Sequence, residues 1–185
     1  NDKWLQIRVT NNHQDHAGVG VAMPDALEGW RVAQLKAMGA NALRCAHNPP
    51  TPELLEACDR LGMLVIDETR QMTSTPDGLS QLEKLIRRDR HHPSIILWSI
   101  GNEETAQQGT ARGLKIALDM RRTVKALDST RPVTAAMNHY QGYGIPPALD
   151  VMGFNYPEAH IEPFPKLYPA IANRPHEHPT HVSPP

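Results

Sequence analysis

Long apolar runs, cysteines and any excess of one charge are all scarce in this 185-residue sequence. No stretch approaches the roughly 20 apolar residues that a membrane-spanning helix needs, and the opening Asn1-Asp2-Lys3-Trp4 has no likeness to a secretory signal. The expectation is a soluble protein with no membrane partner. The formal net charge is -1 and the pI is near 6.9, so nucleic acid is not an expected partner either. The densest basic run, Arg87-Arg88-Asp89-Arg90-His91-His92, falls where a helix should end and where positive charge complements the helix dipole. Two cysteines, Cys45 and Cys58, are too few for a disulfide framework and read as small core residues, compatible with a reducing, cytoplasmic compartment.

What the sequence does hold is a run of strands alternating with helices. Leu5, Ile7 and Val9 alternate with polar neighbours over Trp4 to Thr10, which predicts a first strand. A helix follows Pro24 and Asp25 and stops at Gly39. Asn41 to Cys45 is the second strand, and after it Thr51 as N-cap, Pro52 at the first helical position and Gly62 as terminator frame a second helix. Met63 to Ile66 is the third strand. The most apolar segment, Ser94 to Glu104, reads as a strand buried on both faces that breaks off at Gly101 and leaves Asn102 and Glu103 at its carboxyl end. A helix is expected from near Thr110 to Leu127, then strands at Val133 to Met137 and Val151 to Phe154.

Six strands with polar exits describe an α/β protein, an incomplete (β/α)8 TIM barrel with about six of its eight parallel strands. We expect a partial barrel over residues 1–156 and an irregular tail over 157–185. In that tail eight prolines fall within 29 residues, too many for a regular ladder of hydrogen bonds.

The polar groups collect after the strands, at the rim where such barrels do chemistry. They are His13 and His16, Arg44, His47 and Asn48, Asp67 and Glu68, Asn102 and Glu103, Asn138, and Asn155 and Tyr156. A carboxylate such as Glu103 just past a dry strand is suited to moving a proton near neutral pH. Glu68 reads either as an ion pair with an arginine or as a substrate contact.

Several segments together resemble one family. Asn12-His13-Gln14-Asp15-His16, Leu43 to Pro50, Cys58-Asp59-Arg60-Leu61-Gly62, Arg88 to Ser94 and Trp98-Ser99-Ile100-Gly101-Asn102-Glu103 are similar to the catalytic barrel of glycoside hydrolase family 2, the β-galactosidase and β-glucuronidase family, truncated after about six β/α units. The resemblance implies a hydrolase of O-glycosyl bonds that needs no cofactor, with Glu103 as general acid/base. It further implies that Asn102 holds a sugar hydroxyl, that His13 and His47 bind the sugar, and that Tyr156 positions the nucleophile. Arg44 and Asp67 are expected in the pocket floor, with His16, Asn48 and Asn155 beside them as substrate contacts. The family's nucleophile, a glutamate closing an apolar seventh strand in Thr-Glu or Ser-Glu, is missing, which implies reduced or altered activity. Two alternatives stay open. One is a lactone or ester hydrolase, metal-assisted if His13, His16, His47 and Asp67 supplied ligands. The other is a barrel remnant that binds carbohydrate or a protein without turnover. An open six-stranded sheet leaves two unpaired edges, so a homo-oligomer, most simply a dimer, is expected.

Overall fold

Capping chemistry sets where three of the helices begin. Thr51 Oγ1 accepts from Leu54 N–H at 3.2 Å, Thr75 Oγ1 from Gly78 N–H at 3.2 Å, and Thr110 Oγ1 from Gly113 N–H at 2.9 Å. These threonines open helices α2 (Pro52–Leu61), α3 (Pro76–Asp89) and α4 (Ala111–Leu127), which follow α1 (Asp25–Ala37). Gly62 ends α2 with φ 69°, a left-handed conformation that costs glycine nothing. Thr75 and Pro76 form the same cap and first-turn pair at the start of α3 as Thr51 and Pro52 at the start of α2.

The computed structural model describes residues 5–138, 143–156 and 164–177. Seven parallel strands form one sheet whose spatial order is the chain order: β1 (Val9–His13), β2 (Ala42–Ala46), β3 (Leu64–Glu68), β4 (Ile95–Asn102), β5 (Val133–Met137), β6 (Val151–Asn155) and β7 (Ala172–Glu177). The sheet curls, and β7 comes back within 8 Å, Cα to Cα, of β1. This is the incomplete TIM barrel expected from the sequence. Apolar residues of the helices, such as Leu55, Ile86 and Met120, share one core with Val65, Ile100 and Met152 of the strands. Both cysteines are buried and free, and burial pushes the Cys58 thiol up to about 12.

Two segments differ from the sequence reading. The first strand lies further along, at Val9–His13, in register with Ala42–Ala46. The alternating Leu5 that suggested an earlier start is 57% exposed, so no core selects that register. Polar Asn11 and Asn12, past the predicted strand end at Thr10, are strand residues. Beyond residue 156, a short helix, α5 (Phe164–Leu167), and β7 occupy part of the stretch expected to be irregular. Pro175 is tolerated within β7, the last strand of the sheet, where one side has no hydrogen-bonded strand among the described residues.

Candidate active site

Strand alternation decides which polar residues face the barrel interior. On β2 and β3 these are Arg44 and Glu68, both side chains fully buried. Arg44 Nε donates to Glu68 Oε2 at 2.8 Å and Nη2 to Oε1 at 3.0 Å, a two-point fork that fits a planar carboxylate. Glu68 also accepts from Ser99 Oγ at 2.6 Å and contacts His47 Nδ1 at 2.8 Å. An ionised carboxylate only accepts, so His47 carries its proton on Nδ1 and turns Nε2 outward. Arg44 Nη2 lies 3.2 Å from the same Nδ1, but two donors cannot bond each other, and this is proximity alone. Glu68 is therefore the ion-pair partner of an arginine, one of the two roles open to it from sequence.

The network runs on to β4 and β6. Arg44 Nη2 donates to Asn102 Oδ1 at 2.7 Å, and Asn155 Nδ2 donates to the same oxygen at 2.9 Å and to Glu103 Oε1 at 2.7 Å. Asn138 Nδ2, from just past β5, reaches Glu103 Oε2 at 3.4 Å. Both carboxylate oxygens of Glu103 thus receive amide N–H groups from two different strand ends. Glu103 has φ 51° and Tyr156 φ 68°, left-handed values that non-glycine residues seldom adopt and that recur at functional sites. The Glu103 N–H is held by Ala136 O at 2.9 Å, which fixes that turn. Next to it, Glu104 Oε1 accepts from Met72 N–H at 3.4 Å and ties down the loop after β3.

The structure therefore brings together Arg44, His47, Asn102, Glu103 and Asn155, and adds His13, whose ring meets that of His47 edge-on at 5.2 Å. Tyr156 stands on the same rim directly after Asn155 and is 56% exposed. Three expected contacts lie elsewhere. His16 Nδ1 bonds Ala17 O at 2.9 Å and its ring packs against Trp30 of α1. Asn48 lines a separate cavity of about 120 Å³ between α1 and the β2 exit, with Asn12, Glu28, Arg31 and Thr51. Asp67 is the larger correction. One residue from Glu68 in an extended strand, it points to the opposite face, where it is fully buried against Asp89 of α3, and desolvation followed by that like charge drives its pKa well up. It cannot line the pocket floor. Among the described residues no three His, Cys, Asp or Glu side chains converge as a metal site, and the suggested ligands His16 and Asp67 are those just placed outside the cluster. Asn11, whose Oδ1 accepts from Arg44 Nη1 at 3.5 Å, Ser99, and Gln108, which donates to Asn138, were passed over by sequence reasoning and belong to the network. Only the period-two placement of Ser99 two residues past Leu97 on the β4 strand could have pointed to one of them.

Residues 1–77 and 73–167 match the sequence model of the glycosyl hydrolases family 2, TIM barrel domain. The chain belongs to glycoside hydrolase family 2. Family 2 relatives include a β-galactosidase of Bacteroides ovatus, 32% identical over 91% of this chain and 25% of its own length. A β-glucuronidase of Chlorocebus aethiops is 32% identical over 84% of this chain and 25% of its own. Among solved structures, a family 2 glycosyl hydrolase from Bacteroides cellulosilyticus superposes with a TM-score of 0.83 at 38% identity, covering 92% of this chain and 24% of that one. The family 2 chain described here spans about a quarter of the length of these relatives.

Proposed function

We propose that the chain carries the acid/base half of a β-glycosidase site, acting on a β-galactoside or β-glucuronide, with Glu103 delivering a proton to the glycosidic oxygen and later withdrawing one from water. The observation that supports it most is the placement of Glu103 at the β4 exit, with Asn155 and Asn138 each donating to one of its oxygens. Asn102 uses Oδ1 inside the network, which turns its Nδ2 toward a substrate hydroxyl. His47, anchored through Nδ1, offers Nε2 to the sugar, and His13 buttresses it. Arg44 and Glu68 hold this constellation from beneath and do not touch the substrate.

Retention of configuration needs a second carboxylate about 5–5.5 Å from the first. The Thr-Glu or Ser-Glu ending of the family's seventh strand has no match here. The one carboxylic residue in the sequence of β7 is Glu177, the last residue of the strand, whose backbone pairs with Asn155. We expect weak turnover, well below the roughly 10 per second of ordinary enzymes.

Rates on a nitrophenyl β-galactoside and β-glucuronide, for wild type, Glu103→Gln and Glu177→Gln, test the reading. Loss of at least about a hundredfold in Glu103→Gln is expected, since general acid–base catalysis contributes on that order. A loss below about tenfold would end the assignment of Glu103. An unchanged rate in Glu177→Gln would show that β7 supplies no nucleophile. Binding of the sugar without any turnover would favour the carbohydrate-binding alternative.

A further inference from the structure

Gln108 lies in the turn between β4 and α4 and is 2% exposed. Its Nε2 donates to Asn138 Oδ1 at 2.6 Å, and Asn138 Nδ2 donates in turn to Glu103 Oε2 at 3.4 Å. The backbone around it is clamped. Gln108 O accepts from Ile145 N–H at 2.9 Å, and a Cβ added to Gly144 would fall 2.0 Å from that oxygen. Two loops thus meet at residue 108, one leaving β4 and the other following β5. Gln108 Oε1 is buried with no hydrogen-bond partner among the described residues.

A side-chain amide is a donor at one end and an acceptor at the other. While Glu103 is a carboxylate only an N–H can face it. Asn138 must then turn Nδ2 to Glu103 and Oδ1 to Gln108, which answers with Nε2. Once Glu103 holds a proton it becomes a donor, and both amides can turn over. Asn138 Oδ1 then accepts from Glu103, and Asn138 Nδ2 donates to Gln108 Oε1, the atom left idle in the first arrangement.

We propose that Gln108 is a positioning residue for Glu103, orienting the Asn138 amide to match either protonation state of the acid/base. The proposal rests on the reading of Glu103 given above. Gln108 acts through Asn138 and does not meet the substrate. A methionine at this position fills the space but orients nothing, and an ionised glutamate, which only accepts, matches one of the two states.

Gln108→Met is the first variant to test, with Gln108→Glu carrying the same comparison if the methionine variant does not fold. Departure of dinitrophenol from a glycoside needs no proton, whereas departure of a simple alcohol does. In Gln108→Met we expect kcat/KM on the dinitrophenyl glycoside within about threefold of wild type, and kcat/KM on the alkyl glycoside lower by about 10- to 100-fold. Equal losses on both substrates would overturn the proposal. A second readout is independent of turnover: the side-chain amide ¹⁵N–¹H signals of Asn138 and Asn155. Exchange of the Asn138 amide protons with water is expected to quicken at least about tenfold in the variant while that of Asn155 is unchanged. Faster Asn138 exchange in a chain that turns over no glycoside would fail the glycosidase reading alone; unchanged Asn138 exchange would overturn the role of Gln108 whatever the activity.

Discussion

Asp67 and Glu68 are adjacent on β3 and fully buried, yet their surroundings give them opposite chemistry. Glu68 is answered by Arg44, Ser99 and His47. Asp67 receives no N–H or O–H donor among the described residues and faces Asp89, whose oxygens are taken by Arg88 Nε and Nη2 at 2.5 and 2.7 Å. Burial raises its pKa first, Asp89 and Glu68 raise it further, and Arg88 opposes them; the buried Cys45 thiol is also close enough to feel its charge. An unfolded aspartate titrates near 3.9, so above that pH the folded state binds the extra proton. Stability therefore falls as pH climbs from about 4 toward the raised folded value, and levels off beyond it. Asp67→Asn supplies a permanent N–H donor and removes this dependence. The expected result is a higher Tm than wild type at pH 8, with the difference shrinking toward pH 4. Parallel melting profiles across pH 4 to 9 would mean that Asp67 folds as a carboxylate.

Strands β2, β3, β4 and β6 are joined at their carboxyl ends by one contiguous set of polar side chains centred on Arg44. Replacing Arg44 by methionine keeps the volume and strands the Glu68 charge without its partner, which should destabilise by about 3–5 kcal/mol, measured as a shift in the urea midpoint at unchanged m-value. Restoring most of that stability by a second change, Glu68→Gln, would show that the loss came from the unpaired charge. Much of this element-level order was legible beforehand. Val133–Met137 is a strand with the boundaries that its composition predicts, and the Thr51, Pro52 and Gly62 signals bracket α2 as expected. Local chemistry of this kind acts within a few residues and can be read from them. The position of β1 was not legible, because alternation over Leu5 to Val9 fits one exposed face as well as one buried face, and only pairing with β2 selects the register. In the same way Asp67 and Glu68 look equivalent in sequence, and the phase of the strand separates them. Gln108 has no sequence signal, since its partner Asn138 is 30 residues away.

For the whole molecule, the position of β7 decides how much sheet edge is left open. A six-stranded sheet would present two open edges and, with them, the homodimer expected from the sequence. With β7 paired to β6 and within reach of β1, less of that edge remains. Removing residues 157–185 should therefore increase self-association, seen by sedimentation at micromolar concentration as growth of a dimer over the full chain. Equal sedimentation of both forms would show that β7 covers nothing. The agreement between strand order and chain order has a consequence for synthesis. Each strand finds its neighbour in the segment made just before it, so a growing chain can lengthen the sheet one unit at a time as it leaves the ribosome, without waiting for distant sequence. The groups around Glu103 do not share that convenience: Arg44, Glu103 and Asn155 meet only after β6 has been made, so this network closes long after its first member has emerged.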